Sequence, residues 1–581
     1  MKGRRMGSEP GETAPPPAEI GALMRQAMAF HRAGMLAEAA PFYSQVLDRE
    51  PDHRDALHFL GVLSHQRGDN EAAVALMRRA LALGDEDPAL HANLGVALKG
   101  CGELDAAVAA YRRALALAPD YPEAHNNLGI ALFQQGLVDD AIAHYRAALG
   151  ARPGYAEAHF NLAVALRRQG KLEEALTACQ AAIDRRSRYA DALHGLAGLQ
   201  MQLKRHDDAA ATYRRYLAER PGDLAAIKSL GEALMAARRD AEALSVYATA
   251  LESYPEDAEL LNNLGVALMA EERVEEAVVA FRAAIERKPD FADPQYNEGV
   301  VLEKAGRLDD AAAAFEATLR IEPEHAKAHH ALGAIYGMLG RSEDLARVYR
   351  HWRQVSPDHP AARHMAAAVN AAETPPRAAD DYIRELFAPF ARAFDDVLGK
   401  LNYRVPALLA ALLARFPAER PLDIADAGCG TGLCAPALRP LARRLVGVDL
   451  SPEMLVKARQ RGLYDELVEA ELTQFLGRNA AAFDLIVVAD TLVYFGDLAT
   501  PLQAMAGALR PDGRIAFNLE RDGEDHPAGY RLNQYGRYVH GEGHLRRRLT
   551  AAGFTILSLE TTTIREQARE AVQGLLVLAA R

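Results

Sequence analysis

Between residues 20 and 359 the pattern of small, apolar and polar positions repeats every 34 residues, and three recurring positions set its register. Counted from Ile20, the eighth position is Ala27, Gly61, Gly95, Gly129, Ala163, Ala197, Gly231, Gly265, Gly299 and Gly333. The twentieth is alanine from Ala39 through Ala311, then Leu345 in the last unit. Aromatics stand four residues further on, at Tyr43, Tyr111, Tyr145, Tyr213, Tyr247, Phe281, Phe315 and Tyr349. Each unit therefore predicts two helices whose small residues permit close approach, with an aromatic filling the space between neighbouring units. Prolines at 51, 119, 153, 221, 255, 289, 323 and 357 end the second helix, because proline lacks the N–H that a helix needs.

The period and register resemble tetratricopeptide repeats. Ten units over 20–359 are expected, preceded by a disordered tail at 1–19 and followed by a capping helix and linker at 360–378. One helix pair cannot bury its apolar stripe alone, so the resemblance implies an all-α superhelix with a long concave binding face. In this register the sixth position faces the groove and reads Asn93, Asn127, Asn161, Asn263 and Asn297, with Gly195 and Ser229 interrupting. A ladder of amides offers donor and acceptor to an extended peptide backbone without reading its side chains. The arrangement resembles the asparagine ladder of O-linked N-acetylglucosamine transferase. The alternative is that these amides belong to the repeat consensus and pair with neighbouring helices or water.

After the joint Thr374-Pro-Pro376, apolar residues at Tyr382, Leu386, Phe387, Phe390, Phe394 and Leu398 return to helical spacing. Beyond residue 420, short apolar runs alternate with helical stretches, which predicts strands at 422–427, 444–448, 467–471, 483–488, 514–519, 555–560 and 572–579. An α/β domain over 379–581 is expected. The stretch 521–544, between the fifth strand and the next helix, is long enough to be a lid or an acceptor-binding insert.

Charge and cysteines narrow the setting. A net charge of -12 argues against a general nucleic-acid surface. Four scattered cysteines do not make a disulfide framework and fit a reducing cytoplasm. Residues 1–17 lack the apolar run of a signal peptide, and no stretch of the chain reaches the length and apolarity of a membrane span.

The candidate chemistry sits in Asp426-Ala-Gly428-Cys-Gly430-Thr-Gly432, directly after the first α/β strand, answered by Asp449 at the end of the second. Asp449 follows Gly428 by 21 residues, near the spacing at which an acid takes ribose hydroxyls. A dinucleotide fingerprint would place its third glycine at 433, which is leucine. The G-x-G-x-G register behind an acid resembles motif I of class I S-adenosylmethionine-dependent methyltransferases, and Val446-Gly-Val-Asp449-Leu-Ser-Pro-Glu-Met454 resembles their second-strand motif. With the repeats, the chain resembles bacterial methyltransferases that carry tetratricopeptide repeats.

That resemblance implies a Rossmann-like seven-stranded sheet in the order 3-2-1-4-5-7-6, with the last strand antiparallel, and S-adenosylmethionine as cofactor. Gly428, Gly430 and Gly432 would meet the methionine part, with the helix start after Gly432 near its carboxylate. Asp426 would order the loop or face the ammonium. Asp449 would hold the ribose, Leu450 and Met454 would flank the adenine, and Glu471 would stand near the adenine amine. Asp490 would approach the methionine moiety and the acceptor. Tyr382, Phe387 and Tyr403 are candidate cavity residues, and Tyr494 and His540 are the candidates for acceptor positioning or proton transfer, whereas Cys429 and Cys434 read as small packing residues and not as metal ligands. Three functions stay open: a protein methyltransferase fed by the repeats, a small-molecule enzyme of the quinone type whose repeats only scaffold a complex, and a non-catalytic cofactor sensor.

Overall fold

The computed structural model describes residues 17–370, 374–388, 391, 394–523, 526–567 and 570–581. Most of the expected tail, through residue 16, and Phe390 lie outside them. The chain divides into two compact units, Met1–Glu271 and Glu272–Arg581.

The first unit is a succession of antiparallel helix pairs from Pro17–Arg32 to Ala258–Ala270. Its first helix begins at Pro17, three residues ahead of the predicted register. The twentieth-position alanines, Ala39 through Ala243, are fully buried, so any larger side chain would push the paired helices apart. The aromatics do more than fill gaps between units: a Cβ added at Gly95 or Gly129 would lie 2.6 Å from the ring of Tyr111 or Tyr145 in the same repeat. Helices stop two residues before proline, as at Arg49 before Pro51 and Leu117 before Pro119.

The second unit opens with the same motif. Helices Val274–Arg287 through Ser342–Val355 pair in turn, with Gly299 against Phe315 and Gly333 against Tyr349, and a closing helix, Pro360–Ala368, follows. Three further helices, Asp380–Phe387, Phe394–Lys400 and Val405–Ala414, lead into the sheet. No single helix among the described residues is long and apolar enough to cross a membrane, although the last two pass that test as a pair bent by 81°.

Among the described residues the sheet has nine strands: β1 (Leu422–Ala427), β2 (Ala442–Asp449), β3 (Glu466–Glu469), β4 (Phe483–Val488), β5 (Leu509–Arg521), β6 (Tyr530–Leu532), β7 (Tyr538–His540), β8 (Thr555–Gln567) and β9 (Glu570–Ala580). Its main body runs β3-β2-β1-β4-β5-β9-β8, parallel through β5, with β9 antiparallel to both neighbours. This is the expected seven-strand order. Both faces are covered, and β4 shows it: Ile486 and Val488 enter one apolar layer, Leu485 and Val487 the other. A strand buried on both faces reads as a near-continuous apolar run, here interrupted only by Asp484, which is why Phe483–Val488 was predictable to the residue.

The insert departs from a plain loop. It folds into the hairpin β6–β7, and β7 continues beside β5 at Glu520 and Arg521, past the point where β4 ends. Strands of three residues are too short to show an alternating signal. The tip of this hairpin rests on the closing helix. His364 Nε2 donates to the Gly536 carbonyl at 2.9 Å, and the His364 ring stacks on Tyr382 with centroids 4.0 Å apart. The joint at 374–376 is stitched down as well: Tyr538 Oη donates to the Pro375 carbonyl, and Gly496 and Asp497 donate their N–H groups to that of Pro376.

Candidate active site

At the carboxyl ends of β1, β2 and β4 lies a cavity of about 1160 Å³, its open mouth included. Strand order reverses there, so loops after neighbouring strands diverge and leave a crevice. The cavity brings together Asp426, Gly428, Gly430, Asp449, Leu450, Met454, Glu471, Asp490 and Tyr494, far apart in sequence. Phe387, Phe394, Leu398 and Tyr403 cover it. Tyr382 does not; it is spent on His364.

Each glycine of the turn has a separate reason to be glycine. Gly428 has φ +82°, and a Cβ there would lie 2.0 Å from Thr491 Oγ1, so the turn after β1 and the loop after β4 are in backbone-to-side-chain contact. Gly430 has φ +54° with nothing within 4 Å of a Cβ, and its surface faces the cavity. Gly432 is a correction to the sequence reading: it does not line the cavity but sits against Tyr464, 3.0 Å from a would-be Cβ. The helix that follows, Ala435–Leu438, has four residues and starts beyond Cys434. So short a helix carries little dipole to offer a carboxylate.

The two acids of the turn differ in their commitments. Asp449 holds the turn itself: Oδ2 accepts the Gly430 N–H at 2.8 Å and Oδ1 the Ser451 N–H at 2.9 Å. Asp426 is buried beneath it, with Tyr464 Oη donating to Oδ2 at 2.6 Å and Oδ1 bonded to nothing among the described residues. Burial pushes its carboxyl up to about 7 against the opposing Tyr464 bond. An uncommitted acceptor in such a place is poised for a cationic ligand group, since an unmet buried acceptor is costly. Glu471 reaches the cavity with its carboxylate largely spent, capping the next helix through Gln474 N–H and pairing with Arg377 Nη1 at 3.3 Å. Over the turn, Asp395 from the covering helix bonds Thr431 Oγ1 and Arg461 Nη2, latching the cover to the loop beneath.

Asp490 has φ +53°, unusual for a residue with a side chain. Asn518 of β5 holds it there by accepting its N–H at 2.8 Å and donating to Oδ1 at 3.1 Å. Burial works to raise the Asp490 carboxyl, but Arg537 and Arg565 outweigh it and hold the group below the usual range. Arg565 and Arg377 escaped the sequence reading, whereas Arg537 lies in the insert 521–544 read there as a lid or acceptor-binding segment. An isolated arginine in an insert or an outer strand carries no motif; only the fold brings it to a buried acid.

His540 is the second correction. It is fully buried outside the cavity, its Nε2 donates to the Phe495 carbonyl, and burial pulls its imidazole down to about 4. A neutral ring fixed under β7 is a packing element. Tyr494 does line the cavity, with its phenol raised by burial. Cys429 and Cys434 are buried free thiols beneath the turn.

Of the asparagines, all five are half-buried, and Asn93 Nδ2 donates to His58 Nε2 and Asn161 Nδ2 to Asn126 Oδ1 of the preceding repeat, each at 2.9 Å. These amides therefore serve the pairing between adjacent helices, whatever else they meet.

Residues 425–517 match the family model described as a methyltransferase domain, and models for tetratricopeptide repeats match 30–96, 101–136 and, in four overlapping or adjacent stretches, 139–360. The chain combines tetratricopeptide repeats with a methyltransferase domain. The domain is of the class I kind, and its cofactor is S-adenosylmethionine. Over 151 residues the chain is 32% identical to nodulation protein S of Rhizobium tropici, covering 25% of this chain and 57% of that protein. It is 34% identical to malonyl-[acyl-carrier protein] O-methyltransferase of Enterobacter lignolyticus (18% of this chain, 42% of that one) and 37% identical to trans-aconitate 2-methyltransferase of Azoarcus sp. (19% and 44%). The chain thus spans about half the length of the curated relatives it matches. The cofactor fits the residues present: the unpartnered Asp426 Oδ1 suits an ammonium, and the open face of Gly430 leaves room for a ligand against the backbone.

Proposed function

We propose that the protein methylates an acceptor held beside the Asp490 end of this cavity, and that its repeats recruit a protein or peptide partner that is itself the substrate or brings it. S-adenosylmethionine would supply a sulfonium-bound methyl group that passes to the acceptor as the methyl–sulfur bond breaks and S-adenosylhomocysteine leaves. The chain's own work is to hold both partners in line and keep water out. In this reading Asp426 faces the ammonium, Gly428 and Gly430 admit the methionine part, Gly432 shapes the turn, and Asp449 binds the ribose. Leu450 and Met454 flank the adenine with Glu471 beyond, while Asp490 and Tyr494 border the acceptor. The observation that carries the proposal is the cavity with one buried, uncommitted carboxylate oxygen beside a glycine turn. Four free cysteines support a cytoplasmic setting.

Repeat-mediated recruitment rests on the asparagine positions 93, 127, 161, 263 and 297. Labelled cofactor added to cell extract with the full chain should mark protein bands, and Asn127→Ala with Asn161→Ala should diminish them while cofactor affinity stays. Label found only in small molecules would leave the second reading: a small-acceptor enzyme with scaffolding repeats. The aromatic cover of the cavity favours that alternative, as does the small acid on which the similar trans-aconitate 2-methyltransferase acts.

Affinity should also depend on pH in a defined direction. Asp426 titrates near 7 in the free protein, above its unfolded value, so a cation there binds only as the proton leaves. Affinity for S-adenosylhomocysteine should rise by up to about tenfold per pH unit from 5 to 7 and then level. By the same sign, the stability of the free protein should fall over that interval. Calorimetric titration of Asp426→Asn should give a flat profile; a profile as steep as that of the unaltered chain would remove Asp426 from the ammonium.

A further inference from the structure

Methyl transfer leaves the acceptor's chemistry open, and the far end of the cavity narrows it. Four charged side chains from separate elements converge there: Asp490 after β4, Glu520 in β5, Arg537 ahead of β7 and Arg565 in β8. Arg565, 2% exposed, reaches Glu520 and Asp490 from behind. Arg537 is placed differently. Its Nη1 meets Asp490 Oδ2 and Glu520 Oε1, both at 3.1 Å, while Nε and Nη2 bond nothing among the described residues, and the residue lines the cavity. The Nε–Nη2 edge of a guanidinium is the flat fork that matches a carboxylate side-on. Elsewhere in this chain Arg239 uses that same edge on Glu242, at 2.7 and 2.9 Å.

The surroundings favour an anion on that edge. The two acids and two arginines balance in formal charge, so an incoming carboxylate meets no net repulsion from the cluster. Around it, Tyr403, Tyr494 and Phe387 present rings, and burial keeps both phenols neutral. The backbone that carries the guanidinium is held as well: Asn533 Oδ1 accepts the Arg537 main-chain N–H, and the preceding Gly536 carbonyl accepts from His364. A donor edge held rigid without a partner is a prepared site.

We propose that the Nε–Nη2 edge of Arg537 takes a carboxylate of the methyl acceptor, so that the acceptor is a carboxylic acid, either a free organic acid or an acidic side chain of a peptide. This rests on the methyl-transfer reading of the cavity. The test uses the full chain loaded with S-adenosylhomocysteine and titrated calorimetrically with trans-aconitate, with succinate, and with a glutamate-containing peptide, each beside its amide counterpart. At least one carboxylate should bind and its amide should not; which probe binds distinguishes the two sources. Arg537→Lys keeps a cation between Asp490 and Glu520 but lacks the fork, and should weaken that binding by about tenfold or more while S-adenosylhomocysteine affinity stays within about threefold. Arg537→Gln should remove carboxylate binding, with thermal unfolding confirming a folded chain. Absence of binding by all carboxylates, equal binding of the amides, or parallel loss of S-adenosylhomocysteine would overturn the proposal, the last by placing the edge on the cofactor's own carboxylate. Failure of the unaltered chain to bind S-adenosylhomocysteine would instead overturn the methyl-transfer reading.

Discussion

Asp449→Ala is expected to weaken S-adenosylhomocysteine binding by about a hundredfold or more, with a much smaller change in thermal stability. The side chain does two things in the cavity. It ties the Gly430 and Ser451 N–H groups, so its removal leaves two backbone donors without a partner in the loop that must stay ordered under the ligand. In the proposed complex it also accepts ribose hydroxyls. A hydrogen bond to a charged group contributes about 1.5–3 kcal/mol, and each 1.4 kcal/mol is about tenfold, so loss of the ribose contact and part of the loop order reaches that factor. The free protein loses less, because burial raises the Asp449 carboxyl and its removal relieves a desolvated charge. Asp449→Asn keeps one acceptor oxygen and should fall between. Calorimetry with thermal unfolding on the same samples separates the effects; unchanged affinity in the alanine variant would move the ligand site elsewhere.

Gly428→Ala is expected to fail in a different way, by losing the fold of the loop as well as the ligand. Its Cβ would lie 2.0 Å from Thr491 Oγ1 and 2.7 Å from Thr491 Cβ, at a φ of +82° that alone costs about 1–2 kcal/mol for a residue with a side chain. The loop after β4 must move, and with it Asp490. A clash of this kind in a packed site adds about 1–3 kcal/mol, so a clear fall in melting temperature should accompany loss of binding. Gly430→Ala is the control. Nothing stands within 4 Å of that Cβ, so its melting temperature should fall by less while the methyl group intrudes on the ligand. Equal thermal loss in the two variants would contradict the packing described for Thr491.

How much of this could be read in advance differed by element. β1 and β4 were legible to the residue because both are short, mostly apolar runs bounded by turn residues, interrupted only by Asp423 and Asp426 in β1 and by Asp484 in β4. The repeat helices were legible because the same packing demand recurs in each unit, and position 20 of the unit answers it with alanine each time but the last. The hairpin in the insert was not, since three-residue strands paired beside β5 depend on a partner edge that local sequence does not announce. His540 shows the limit for single residues: a histidine in an insert reads as available chemistry, yet β7 carries it inward to Phe495. Gly432 belongs to the right motif but faces Tyr464.

By itself the sequence determined the class of fold and the position of the glycine turn, because these depend on periodicity and on backbone conformations set within a few residues; the cofactor followed from the resemblance of that turn to a known motif. Only the tertiary structure decided which charged groups share the cavity. Asp490, Glu520, Arg537 and Arg565 lie on separate elements, and their meeting follows from strand order and from the hairpin resting on His364. Electrostatic partnership is a matter of distance in space, and neither spacing nor composition along the chain encodes it.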